Sequence, residues 1–260
     1  MAQTIAVLSQ KGGTGKTTAV RTLTDVLRRA GLRVLAVDLD PQGNLSDYFD
    51  LEPDIEPTIG DVLVGRAQAA EAIHSDVIPA NLTLAEAELI LAGKMGRELT
   101  LRRALAGVGD GYDLILIDCP PALGLLTVNA LVAADWALLS AEAQYFALQG
   151  VEQANQVIEL AQGLNDGLQW MGVVLNIADM RTVHSREAYA SLGEAYGDRL
   201  FSTPIRQSIA YAESAERAVS ILDRRPDLGA DYVQLALEML DRLGDHAAAR
   251  STVAHMLAAG

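Results

Sequence analysis

The sequence predicts an α/β fold: a single doubly wound domain with a mostly parallel central sheet flanked by helices. Three observations carry this. Short apolar runs alternate along the chain with longer segments of helical spacing. Three of those runs close on a polar residue, Asp38, Asp118 and Asn176, as buried parallel strands do where they reach a ligand-binding edge. The first run passes straight into a glycine-rich string and then a helical pattern. Half of the 260 residues are hydrophobic, enough for a substantial core in one large domain.

Taken in order, Thr4 to Leu8 reads as a strand and residues 16–30 as a helix. Between them stands Lys11-Gly12-Gly13-Thr14-Gly15-Lys16-Thr17-Thr18. A phosphate chain must be met by backbone N–H groups at close range. Gly12, Gly13 and Gly15 lack a Cβ, so the backbone there can wrap an anion. The helix opening at Lys16 adds its unpaired N–H groups and the positive end of its dipole. Lys16 is expected on the outer phosphates, the Thr17 hydroxyl on Mg²⁺ and Thr18 near the α-phosphate. The plain P-loop pattern is not met in full, because its first glycine is absent, and a second lysine, Lys11, precedes the diglycine.

A strand over 33–38 delivers Asp38, and Asp40 follows two residues later, so both carboxylates leave an extended chain on one side. One can act on an attacking water and the other near a metal; Asp38 alone also reads as a capping residue. Residues 43–97 are less regular, with Pro53, Pro57 and Pro79, short helices and a strand expected at Asn81 to Leu84. A helix follows near 98–107. Leu114 to Ile117 then form a strand ending in Asp118-Cys119-Pro120-Pro121. That strand aims one carboxylate at a metal's surroundings, and the prolines stop it. Cys119 reads as a small packing residue before a redox group. Helices near 125–133 and 146–164 flank a strand at 136–140. The strand at 171–176 ends in Asn176, equally an adenine-reading amide or a turn residue. Residues 184–217 carry two helices around a short strand near 199–203. A packed helix spans 228–243, and the tail 245–260 is a further helix with Val253, Met256 and Leu257 on one face.

Composition narrows the partners. No apolar stretch is long enough to span a bilayer. The N-terminus opens directly into a strand, which predicts no cleavable signal. A single Cys excludes an intrachain disulfide and fits a cytoplasmic protein. The tail lacks the basic face of a membrane anchor, so membrane is not an expected partner. The net charge is −14, unfavourable for binding nucleic-acid phosphates. Lysine occurs only at 11, 16 and 94, and no Lys or Arg appears between 104 and 180. The later arginines Arg181, Arg186, Arg206, Arg217, Arg224 and Arg225 either gather into a positive strip that meets DNA or lie in solvated faces and local ion pairs.

The segments KGGTGKTT, VDLDPQGN and LILIDCPP resemble the ParA/MinD family of deviant P-loop ATPases. So do Thr127 to Ala134, Glu142 to Gly150, Thr203-Pro204-Ile205-Arg206-Gln207 and Ala212-Glu213. The likeness runs from about residue 3 to 243 and is closest to small ParA-type partition ATPases, with residues 244–260 as a helical tail or extension. It implies an Mg²⁺-dependent ATPase that binds ATP and ADP. Lys11 then reaches the nucleotide of the opposite subunit, Lys16 holds phosphate, and Thr17 binds the metal. Asp40 positions or activates water, and Asp118 supports the metal through water. Asn176 and Pro204 complete the nucleotide site, and residues 43–97 supply the first switch and part of the dimer surface. The implied partners are a second copy of the chain in the presence of ATP, nonspecific DNA, and a ParB-type or other protein that stimulates hydrolysis. Where small ParA proteins often carry a further arginine two residues beyond Gln207, this chain has Ile209. A membrane- or scaffold-based positioning ATPase is the alternative.

Overall fold

The computed structural model describes residues 2–144 and 147–259. Its centre is a six-stranded sheet, every pairing parallel, in the order β3-β2-β4-β1-β5-β6. The strands are β1 (Gln3–Leu8), β2 (Val34–Asp38), β3 (Val77–Ile78), β4 (Leu114–Asp118), β5 (Trp136–Glu142) and β6 (Gln169–Asn176). The helices are α1 (Lys16–Arg29), α2 (Asn44–Tyr48), α3 (Ile59–Val64), α4 (Thr83–Ala92), α5 (Thr100–Ala106) and α6 (Leu125–Ala133). They continue as α7 (Ala147–Gln162), α8 (Val183–Tyr196), α9 (Ala210–Glu216), α10 (Ile221–Arg224), α11 (Pro226–Leu243) and α12 (Ala247–Ala259).

Side-chain alternation on the central strands builds two core layers. Ala6, Leu8, Leu35, Val37, Ile115 and Ile117 face a layer closed by α3 to α8. Ile5, Val7, Val34, Ala36, Leu114 and Leu116 face the opposite layer, closed by α1 and α11. Both faces of the inner strands are thus buried, which is why they read as continuous apolar runs. The tail helix α12 joins the second layer: Val253 is fully buried, and Met256 and Leu257 pack beside it.

Two sequence expectations shift. Asn81 to Leu84 is not a strand. Asn81 Oδ1 accepts from Thr83 N (3.0 Å) and Thr83 Oγ1 (2.6 Å) and so opens α4. The edge strand is Val77–Ile78 instead, paired with Ala36 and Val37. The segment near 199–203 forms no named strand. It touches β6 through a bridge between Val173 and Leu200 and a bond from Phe201 N to Val173 O (2.9 Å). Part of the Glu142 to Gly150 stretch, Tyr145 and Phe146, lies outside the described residues.

Candidate active site

Parallel register brings the ends of three neighbouring strands together. Val7 of β1 and Asp38 of β2 both pair with Asp118 of β4. The loops leaving β1, β2 and β4 therefore rise from one point on the sheet edge.

The loop after β1 has two left-handed positions, Gly13 (φ 77°) and Gly15 (φ 78°). A Cβ on Gly15 would stand 2.6 Å from Asn176 Nδ2, so side-chain contact as well as conformation demands glycine there. A Cβ on Gly13 would meet nothing within 4 Å; conformation alone selects glycine on that side.

The two lysines of the loop have opposite settings. Lys16 is buried, and its ammonium donates to Ser9 Oγ (2.9 Å) and to the Lys11 carbonyl (3.3 Å). Ser9 Oγ also accepts from Thr14 Oγ1 (3.0 Å) and donates to the Lys11 carbonyl (2.7 Å). Thr14 is anchored further by Ser140 Oγ, which donates to its carbonyl (2.8 Å). Lys11 stands exposed at the lip of the loop. A cleft of about 840 Å³ opens over Gly12 to Thr18, and Lys16 lines it whereas Lys11 does not. Asp40 and Pro121 border the cleft, and Tyr48 and Arg217 stand among its other lining residues.

The carboxylates divide in role. Asp38 is fully buried and spent on the following loop. Its oxygens accept from Asp40 N (3.1 Å), Ser46 N (2.9 Å) and Ser46 Oγ (2.8 Å). That is the capping reading, and it leaves Asp40 as the acid that borders the cleft. Asp40 Oδ1 accepts from Gln42 N (3.0 Å), which fixes its orientation. Asp118 accepts from Thr17 Oγ1 (2.6 Å) through Oδ2, while its buried Oδ1 has no partner among the described residues. Burial, reinforced by the charge of Asp38, pushes Asp118 up to about 8. Burial likewise raises Asp38 to about 6 against its bonds from Ser46. An orphaned carboxylate oxygen beside a threonine hydroxyl suits a hydrated divalent cation. No group of three His, Cys, Asp or Glu residues among those described could hold a metal alone. Thr17, Asp40 and Asp118 fit Mg²⁺ that also takes phosphate oxygens and water. Cys119 is buried and burial pushes its thiol up, as a packing residue requires.

Asn176 sits beneath the loop. Its Nδ2 donates to Ser140 Oγ (3.3 Å) and the Gly15 carbonyl (3.4 Å), and its Oδ1 accepts from Ile177 N (2.9 Å). Pro204 is half-buried on the same edge, one residue before Ile205, whose N–H bonds Leu175 O at 2.9 Å. Thr18 lines the cleft beside Thr17.

The arginines are mostly engaged. Arg181 pairs with Asp179 (2.8 Å), Arg206 with Asp231 (2.8 Å) and Arg225 with Asp227 (2.8 Å), and Arg224 pairs with Glu213. Arg186 donates to the carbonyls of Arg181 (2.8 Å) and Met180 (3.3 Å). Arg217 lines the cleft.

Sequence reasoning missed the serines. Ser9, Ser46 and Ser140 hold the P-loop lysine, Asp38 and Thr14 respectively. Ser9 and Ser140 lie where β1 and β5 reach the loop-bearing edge, and a small hydroxyl at a strand's C-terminal end was the available signal.

The model of an AAA domain family matches residues 2–170. The chain is 36% identical over 253 residues to the chromosome-partitioning ATPase Soj of Treponema pallidum, covering 94% of this chain and 99% of that protein. A solved structure named cobyrinic acid a,c-diamide synthase from Mycobacterium smegmatis, with bound ADP and magnesium, is similar at 35% identity and a TM-score of 0.76. That likeness covers 84% of this chain and 93% of that one. The septum site-determining protein MinD of Pyrococcus horikoshii, complexed with Mg-ADP, is similar at 27% identity and a TM-score of 0.77, over 94% and 98% of the two chains. The two solved structures differ in name but share a nucleoside diphosphate with magnesium.

Proposed function

The chain belongs to the ParA/MinD family of P-loop ATPases, and from that premise we propose an ATP-switched partition protein. Two copies close over ATP and Mg²⁺, and the closed dimer binds DNA without sequence preference. Hydrolysis, stimulated by a ParB-type partner, returns the copies to single subunits. This reading locates the protein in the cytoplasm, on the nucleoid when ATP is bound.

One observation carries the proposal: Lys16 is buried within its own cleft, while Lys11 stands exposed outside it. A cation outside its own cleft can reach another subunit's. Such a lysine stabilises charge on the reacting phosphates and makes the triphosphate part of the contact between subunits. ADP lacks the γ-phosphate and holds the dimer less well, so nucleotide state biases association.

Each residue of the cleft then has a task. Lys16 exchanges Ser9 Oγ and the Lys11 carbonyl for phosphate oxygens. The N–H groups from Gly12 to Thr17 surround the phosphates. Thr17, Asp40 and Asp118 would hold Mg²⁺, which would supply positive charge along the phosphate chain. Asp40, held by Gln42 N, orients the attacking water and draws its proton. Pro204 packs on the base. Asn176 reaches the base by releasing its weak bonds beneath the loop.

A scaffold-positioning ATPase is the second reading. It is favoured by the ion pairs that already occupy Arg181, Arg206, Arg224 and Arg225. DNA binding measured with ATP, ADP and no nucleotide across a salt series separates the two. Partition predicts binding with ATP alone and a steep salt slope. Absence of binding at every salt concentration overturns the DNA reading in favour of a scaffold.

A further inference from the structure

We infer that Arg217 is a phosphate-binding residue of the cleft, closing on the phosphates of a nucleoside di- or triphosphate from the turn that ends α9. The inference rests on the P-loop reading and deepens it.

The charge of the cleft is the first ground. Its lining includes the acids Asp40, Asp47, Asp50 and Glu216. Among the described lining residues the only cations are Lys16 and Arg217. A polyphosphate entering among these acids meets repulsion, and besides Lys16 the lining cation that offsets it is Arg217. A guanidinium also presents paired N–H donors that match two phosphate oxygens at once.

The second ground is that Arg217 is unengaged. Its near neighbours in sequence, Arg206, Arg224 and Arg225, each hold a carboxylate. The Arg217 side chain has no hydrogen bond or ion pair among the described residues, although Glu216 precedes it directly. An arginine serving only the fold would share the pairing of the others.

The third ground is the rigidity of its backbone. Arg217 ends α9 in a closed C-terminal turn: Val219 N bonds Ser214 O (3.0 Å) and Ala218 N bonds Ala215 O (2.9 Å). Ala218 takes the left-handed position of that turn (φ 50°), a conformation costly for a residue with a Cβ and retained where surrounding contacts impose it. Those contacts are visible. Tyr48 OH donates to Ser214 Oγ (2.9 Å), and Ser214 Oγ donates to the Val219 carbonyl. Tyr48 and Ser214 are both buried. Tyr48 closes α2, whose start is held by Asp38 through Ser46. One chain of contacts thus runs from the strand end carrying the catalytic-loop acids to the turn carrying Arg217. The turn is fixed while the side chain stays available.

The test is calorimetric titration of the full chain with Mg-ATP, Mg-ADP and adenosine. Arg217→Ala should weaken ATP and ADP by about tenfold, which corresponds to ~1.4 kcal/mol, and leave adenosine unchanged. Arg217→Lys should recover part of that loss. Tyr48→Phe, which frees the turn without removing the guanidinium, should give a smaller loss in the same direction. Nucleotide affinity of Arg217→Ala within twofold of the parent overturns the inference, as does an equal loss for adenosine, which moves the contact to the base. A flatter DNA salt slope at saturating ATP, with nucleotide affinity unchanged, returns Arg217 to a DNA-facing role. Lys16→Ala run alongside reports on the P-loop reading separately: undiminished ATP binding there removes the premise, whatever Arg217 does.

Discussion

The loop-bearing edge of the sheet and the arginine-bearing C-terminal third use charge in opposite ways. At the edge, among the described residues, Asp118 keeps an oxygen without a partner, and Lys16 is buried against a serine and a carbonyl with no carboxylate bonded to it. In the C-terminal third, Arg181, Arg206, Arg224 and Arg225 each already hold an acid. The contrast separates charge reserved for a ligand from charge consumed by the fold. A buried group left unsatisfied carries a cost that a bound cation or phosphate relieves. An exposed pair contributes about 0–1 kcal/mol and gives little on exchange for an external phosphate. Arg217 crosses this divide, since it lies in the second region and behaves like the first.

The largest effect that could break the contrast comes from Lys16. Lys16→Ala should abolish measurable ATP and ADP binding in a titration, since no other side chain takes its place inside the loop. Retained affinity would mean that the buried ammonium is structural.

Next in size is the response of the nucleotide-free protein to pH. Asp38 and Asp118 are raised to about 6 and about 8. A carboxyl whose folded-state value lies above its unfolded value binds its proton more tightly when folded. Its stabilising contribution is therefore full below the ordinary carboxylate range and is lost as pH rises through about 6 and then about 8. Asp118→Asn should melt higher than the parent at pH 9, with the difference shrinking toward pH 5. An unchanged difference across that range would show that Asp118 carries no buried charge. Magnesium with nucleotide should raise the melting temperature of the parent most at the alkaline end.

The paired arginines give a smaller and more discriminating effect. Replacing Arg224 and Arg225 with alanine should change stability by less than about 1 kcal/mol. If DNA draws them from Glu213 and Asp227, the salt slope of ATP-dependent DNA binding should fall by about 2. An unchanged slope would leave those pairs as part of the fold and move any DNA face elsewhere. The smallest effect is expected at Ala218. Glycine there should stabilise the chain by about 0.5–1 kcal/mol, by relieving the left-handed strain, in a denaturant melt.

Much of this architecture is legible in the chain because parallel sheets demand strands apolar on both faces. Leu114 to Ile117 and Val34 to Val37 announce themselves, and the acids that close them mark the edge where ligands bind. Shorter elements escape because they have no periodicity. Val77–Ile78 is a strand only through its pairing with β2, and Asn81-Leu82-Thr83 looks extended until the asparagine side chain turns it into a helix start. At the site, the glycines and lysines of the loop follow from the chemistry of phosphate. The hub role of Ser9 does not, because it depends on where Lys16 Nζ folds back. Arg217 looks like the other arginines in sequence, because the Tyr48–Ser214 contact that ties its turn to α2 joins residues 166 positions apart.

In the proposed cycle, ATP joins two copies of this chain through the lysine that lies outside its own cleft. Light scattering on the Asp40→Ala variant with Mg-ATP tests it most directly, because slowed hydrolysis preserves the closed state. We expect a dimer with ATP, single subunits with ADP, and single subunits again when Lys11→Ala is added to Asp40→Ala. A dimer that survives the loss of Lys11, or single subunits under every nucleotide, would contradict it.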